Sequence, residues 1–251
     1  MKTNQSLTIG WLYPDLMSTY GDRGNIITLS KRAEWRGIDT NILPLSLDSN
    51  VDNLSSCDLI FMGGAQDRQQ KIVSEDFKTK TPKLKEMIEA GVPGLYICGA
   101  YQFLGNYYKE ADGTVIEGLG ILDLCTESPG PSAKRLIGNV IAHSSLVQAD
   151  LVGFENHGGR TYLGKGVEPL GTVQVGFGNN GRDKTEGAVY KNSLGSYFHG
   201  PILPKNPALS DFLLKKALEK KYHETIILSP LDDSLADHAR STIAKRLGTA
   251  L

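Results

Sequence analysis

What most constrains the fold of this chain is the alternation, over its first ~110 residues, of short apolar runs with helical stretches. Leu7 to Tyr13 reads as a strand. Asp22 to Arg36 reads as a helix, with Ile26, Ile27, Leu29 and Ala33 as candidates for its inner side and Gly37 as its stop. Ile38 to Leu45 and Asp58 to Met62 read as the next strands, the latter ended by Gly63-Gly64. Two helical stretches are expected to follow. The second runs from Pro82 to Ala90, with proline early and Gly91 at the end. Gly94 to Ile97 is a fourth apolar run. This order predicts an α/β fold, a mostly parallel sheet flanked by helices and joined by right-handed crossovers. Ligands on such sheets bind beyond the carboxyl ends of the strands, where Gly63-Gly64 and Cys98 both fall.

Cys98 stands where the fourth strand turns into a helix opening Gly99-Ala100-Tyr101-Gln102-Phe103. A strand-to-helix turn of this kind holds one side chain out at the sheet edge and aims helix N–H groups past it. The positive end of the helix favours thiolate over thiol. The glycine that follows lets a substrate come close to the backbone. Most buried cysteines are small hydrophobes, and Cys57 and Cys125, which lack this setting, are assigned packing or surface roles. Three cysteines, odd in number and widely spaced, speak against a disulfide framework or a zinc site and for a reducing cytoplasm.

Beyond residue ~115 the pattern changes. Short β-type runs at Arg135–Val140, Thr172–Val175, Gly187–Tyr190 and Leu194–Phe198 are separated by turns such as Asn179-Asn180-Gly181, and are expected to be hairpins that finish the sheet. Helices are expected over Pro207–Lys221 and about Ser234–Leu247, with Pro230 between them. The whole chain, 1–251, reads as one domain with a C-terminal helical extension over about 207–251. A charged content of 22% and a net charge of -1 give no basis for nucleic-acid or membrane-surface binding. No apolar run approaches the ~20 residues of a membrane span. The start, Met1 to Ser6, lacks the apolar core of a signal peptide and is expected to lead straight into the first strand.

A nucleophilic cysteine needs a base and an oxyanion hole. His223 and His238 lie in polar helices and His143 has no distinctive frame. His157, within Gly153-Phe154-Glu155-Asn156-His157-Gly158-Gly159, suits catalysis or a hydrogen-bonded loop equally. His199 ends a strand before Gly200-Pro201 and can face the crevice of Cys98, so it is the leading general base. Gly64 and Gly99 offer backbone N–H groups for an oxyanion, with Gly63 beside them. Arg135 is either a surface residue or a bidentate partner for a substrate carboxylate. Two phosphate-loop lookalikes fail. Gly176 to Gly181 is followed by a β run, and Gly159 to Lys165 by Gly166 with no helix.

Tyr96-Ile97-Cys98-Gly99-Ala100-Tyr101-Gln102, with Gly63-Gly64 upstream and His199 downstream, resembles the class I glutamine amidotransferases, whose fold is flavodoxin-like. Tyr20-Gly21-Asp22-Arg23-Gly24-Asn25, Gly153 to His157 and Tyr197 to Pro207 resemble the cobyric-acid-synthase-like branch, and within it the small stand-alone glutaminases. The resemblance implies that Cys98 attacks the side-chain amide of glutamine with His199 as base. It implies that Gln102 and Arg135 bind substrate, Arg135 holding the glutamine. It further implies a bacterial, cytoplasmic heterodimer with a Mur-ligase-like subunit. That partner would hold ATP, this chain needing no cofactor or metal, and ammonia would amidate D-glutamate in the lipid II stem peptide. Another acceptor such as a corrinoid, a non-catalytic binding module and a peptidase of similar fold remain as rival readings. Many of these enzymes carry a glutamate two residues after the histidine. Pro201 stands there instead, so the partner is expected to supply the orienting carboxylate or close the site.

Overall fold

The computed structural model describes residues 5–251, apart from the side chain of Asp67. The first four residues, read above as leading into a strand, lie outside the described residues. β1 (Ser6–Leu12), α1 (Arg23–Glu34), β2 (Asp39–Leu45), β3 (Leu59–Met62), α2 (Asp67–Glu89), β4 (Gly94–Ile97) and α3 (Gly99–Phe103) follow the expected alternation. β1 pairs in parallel with β2 and β3, and β3 with β4, in the registers Ile9↔Ile42, Ile9↔Leu59 and Phe61↔Leu95. Ser193–Ser196 adds in parallel to β4, and Ala188–Tyr190 closes that edge antiparallel.

The period of two in these strands sorts side chains to two cores. Leu7, Ile9, Leu59, Phe61, Leu95 and Ile97 face α1 and α5 (Pro207–Tyr222), which bring Ile26, Leu29, Leu209, Leu213 and Leu218. Leu12, Ile60, Met62 and Tyr96 face α2, which brings Val73, Phe77, Leu84 and Ile88. Each fully buried Leu, Ile or Phe stabilises the fold by roughly 2 kcal/mol. Ile27, a candidate for the inner side of α1, is 51% exposed, because that face already holds Ile26, Leu29 and Ala33.

Two further expectations are corrected. The two helical stretches before β4 are one helix, α2, with Pro82 inside it. Pro82 is exposed, so water can serve the carbonyl that its missing N–H leaves unpaired. Of the four later β runs, Gly187–Tyr190 and Leu194–Phe198 supply the strands that finish the parallel sheet, whereas Arg135–Val140 and Thr172–Val175 do not. Arg160–Leu163, Leu124–Glu127, Tyr107–Lys109 and Val115–Glu117 form a separate sheet in that spatial order. Thr185–Glu186, Gly171–Val175, Leu136–Ser144, Ala149–His157 and Phe198–His199 form a third. The run expected as one strand, Leu194–Phe198, breaks at Tyr197. Glu186 Oε1 accepts hydrogen bonds from the Ser196 hydroxyl at 2.7 Å and the Tyr197 N–H at 2.9 Å. These bonds turn the chain out of the first sheet and into the third, where His199 pairs with Phe154.

After His199 come α4 (Ile202–Lys205), α5 and α6 (Ser234–Arg246). α6 sets Ala244 against Ile141 and Val152, and Arg240 donates to the Asp150 carbonyl at 2.6 Å. Arg32 on α1 bonds both Asp211 on α5 and Asp233 before α6, and Arg36 joins Asp211.

Candidate active site

Cys98 adopts φ 52° and ψ -105°, a left-handed conformation that a residue with a β-carbon rarely takes. Its N–H is fixed to the Ser196 carbonyl at 2.8 Å, and its own carbonyl accepts the Gln102 N–H at 3.0 Å. The turn is therefore pinned on the sheet side and the helix side, and the half-buried thiol is held at the carboxyl edge. Burial pushes the Cys57 thiol up to about 11, consistent with a packing role for that residue.

His199 is brought to Cys98 by the strand that changes sheets. The link between them is Gly64. A β-carbon there would lie 2.9 Å from His199 Cε1 and 3.1 Å from Cys98 Cβ, so only glycine lets the end of β3 approach both. Asp22, completely buried just before α1, places Oδ1 3.5 Å from His199 Nδ1. That distance is long for a hydrogen bond, and neither ring nitrogen makes a well-formed one among the described residues. Burial opposes a proton on His199, yet Asp22 and Cys98, as acceptors and as negative charges, outweigh it and push the imidazole up to about 10. The carboxylate missing at Pro201, expected from a partner, thus has a counterpart within this chain.

Asp22 also changes the reading of Gly64. Its Oδ2 accepts the Gly64 N–H at 2.7 Å, so that donor, expected in the oxyanion hole, is already engaged. Gly63 does not line the pocket. A β-carbon on it would meet Met17 and the Asp22 carboxylate, so its role is close packing. Gly99 opens α3, whose first N–H groups have no partner within the helix. Beside it stands Gln70, whose amide nitrogen donates to the Ala65 carbonyl at 2.9 Å and would lie 2.6 Å from a β-carbon on Gly99.

A pocket of about 440 Å³ opens in front of Cys98 and His199. Gln102 lines it, with its amide nitrogen donating to the Tyr197 hydroxyl at 3.0 Å. Arg135 lines it too, held by Asn156 through Nε to Oδ1 at 2.9 Å and Nη2 to the backbone carbonyl at 2.8 Å. His157 borders the same space. Its ring stacks on Tyr197 at 3.6 Å, Nδ1 meets the Gly159 carbonyl at 2.8 Å, and burial holds its pKa down. That is the structural alternative for His157. His143, His223 and His238 are exposed and do not line this pocket.

Sequence reading thus joined Cys98, His199, Gln102 and Arg135 in one crevice, and missed Asp22, Tyr20, Asn156 and Gln70. Asp22 lay within a quoted motif, but nothing local connects it to a histidine near the far end of the chain. The Gly176–Gly181 lookalike is a hairpin tip whose Phe177 and Gly178 N–H groups donate to Glu155, at 2.7 and 2.8 Å.

Residues 8–207 match the CobB/CobQ-like glutamine amidotransferase domain. The chain is 50% identical over 216 residues, 86% of each protein, to the lipid II isoglutaminyl synthase (glutamine-hydrolyzing) subunit GatD of Staphylococcus aureus (strain N315). It is 42% identical over 230 residues, 92% of this chain and 87% of the relative, to the subunit of the same name from Streptococcus pneumoniae (strain ATCC BAA-255 / R6). In three dimensions it resembles the glutaminase domain of Trypanosoma brucei CTPS, solved with bound acivicin, with a TM-score of 0.56. That likeness covers 89% of this chain and 96% of the other at 12% identity, and it speaks for the fold.

Proposed function

Because this chain belongs to the CobB/CobQ-like glutamine amidotransferase family, we propose that it is the glutaminase subunit of a lipid II isoglutaminyl synthase. In this reading it splits glutamine into glutamate and ammonia for a Mur-ligase-like partner, MurT. The partner holds ATP and activates the α-carboxylate of D-glutamate in the lipid II stem peptide, and ammonia turns it into D-isoglutamine. The two GatD relatives support the reading, each matched over most of its length. Among the described residues no helix is long and apolar enough to cross a membrane, which agrees with a cytoplasmic subunit that meets lipid II through its partner.

The chemistry follows from charge placement. With its pKa pushed up to about 10, the imidazole of His199 is a strong acceptor for the Cys98 proton and takes it as the sulfur attacks. Sγ attacks the γ-carbonyl carbon of glutamine, and the carbonyl oxygen takes up the negative charge. The Gly99 N–H at the start of α3 stabilises it, a donor of this kind contributing roughly 3 kcal/mol. The C–N bond breaks as His199 gives its proton to the leaving nitrogen, and ammonia departs. Water then attacks the γ-glutamyl thioester with neutral His199 taking its proton and passing it to the departing sulfur, which releases glutamate and restores the free enzyme. Asp22 holds the ring in place throughout. Arg135 takes the α-carboxylate of the substrate.

The observation that carries this reading is the Cys98 turn facing a buried His199–Asp22 pair across Gly64. Acivicin tests the site. Intact-mass analysis is expected to show one adduct, on Cys98, that glutamine suppresses; adducts on Cys57 or Cys125 instead would refute it. Reconstitution with ATP and the ligase-type subunit that co-purifies tests the acceptor. Amidation of lipid II supports the proposal, and amidation of a corrinoid alone replaces it.

A further inference from the structure

Tyr20 has a backbone at φ 58° and ψ 27°, followed by Gly21 at φ 82°. An aromatic residue in this left-handed region is strained, and such strain persists where the surroundings hold it for use. The segment is anchored by the Thr19 N–H on the Gly64 carbonyl at 3.0 Å. The Tyr20 ring stands edge-on to the His199 imidazole, with centroids 4.9 Å apart, yet the residue is 51% exposed at the pocket wall. Ordinary core packing does not account for it.

Donor and acceptor identities settle what its hydroxyl can do. Arginine only donates, so the Asn156 atom facing Arg135 Nε must be oxygen. The Asn156 nitrogen is thereby turned to Tyr20 and donates to Oη at 3.1 Å. Tyr20 accepts that bond, which leaves its own proton without an acceptor among the described residues. Arg135 Nη1 also makes no hydrogen bond there. Arg135 is the one lysine or arginine among the described residues lining the pocket. Two free donors, a cationic N–H and a phenolic O–H, therefore stand on either side of a single amide in the pocket wall. Both suit a carboxylate.

We propose that Tyr20 selects the substrate: its hydroxyl donates to the α-carboxylate of glutamine beside Arg135, and its ring holds His199 edge-on for the acid–base step. This rests on the glutaminase reading. Asn156 is the coupler that fixes the direction of both donors, so a ligand without an α-carboxylate forfeits both at once.

Steady-state glutamate release from L-glutamine, with thermal melting on the same full-length preparations, tests the inference. Tyr20→Phe keeps the ring and loses the hydroxyl. The Michaelis constant for glutamine is expected to rise about tenfold with kcat within about twofold, the size of one lost hydrogen bond to a charged group. Tyr20→Leu removes the ring edge as well, and is expected to lower kcat and shift the alkaline limb of the pH profile. Tyr20→Asn suits the left-handed backbone, so its melting temperature is expected to equal or exceed that of the wild type while the Michaelis constant still rises. A wild-type Michaelis constant in Tyr20→Phe, or a lowered melting temperature in Tyr20→Asn with unchanged kinetics, overturns the inference and leaves glutamine hydrolysis standing. A wild-type chain that releases no glutamate overturns both.

Discussion

At the scale of single residues, the account turns on where one proton rests. The ordinary imidazole value is 6.5, and in the fold it is pushed up to about 10. A raised value means that the charged form is favoured by folding. The stability it contributes is complete below 6.5 and is lost as the pH rises through about 10. The same proton serves the leaving nitrogen, so turnover is expected to fall along an alkaline limb near 10. Asp22→Asn removes a negative charge and leaves an amide oxygen for the Gly64 N–H. It is expected to move that limb toward neutrality and to lower kcat roughly 100-fold. A pH–rate profile decides, and an unmoved limb with unchanged kcat takes Asp22 out of the mechanism. Cys98 and His199 were legible because each stands at a strand end beside glycine, a local signal. Asp22 was not, since a carboxylate before a helix reads as an ordinary cap.

At the scale of elements, short apolar runs bounded by glycine named the four strands, and the spacing of Ile26, Leu29 and Ala33 named α1, which buries one face. Pro82 was read as a boundary, since proline usually starts or stops a helix. Its exposed position lets α2 run through it. The C-terminal helices are tied to the frame by Arg32 and Arg36, with side chains only 5% and 3% exposed, through Asp211 and Asp233. Removing Asp211 leaves the buried Arg36 guanidinium with no carboxylate among the described residues, and Arg32 with Asp233 alone. Asp211→Ala is expected to cost roughly 3 kcal/mol in chemical denaturation. A loss below about 0.5 kcal/mol would mean that α5 is held by its leucines alone.

At the scale of the whole molecule, four of the later β runs were visible, but Tyr107–Lys109, Val115–Glu117, Leu124–Glu127, Ala149–His157 and Arg160–Leu163 were not, and nothing marked any of them as members of separate sheets. A run of three to five residues carries no mark of its partner, and pairing across long sequence separations is decided by packing. The consequence is functional, because the break at Tyr197 between two sheets is what delivers His199 to Cys98. Family resemblance supplied the acceptor and the partner, which no residue in this pocket specifies. The central claim is that one sulfur, paired with one imidazole, splits the amide of glutamine. Glutamate release by Cys98→Ala, measured beside the wild type with circular dichroism to establish folding, tests it most directly. A folded variant with no detectable glutamate release is the expected result; turnover at the wild-type rate would contradict it.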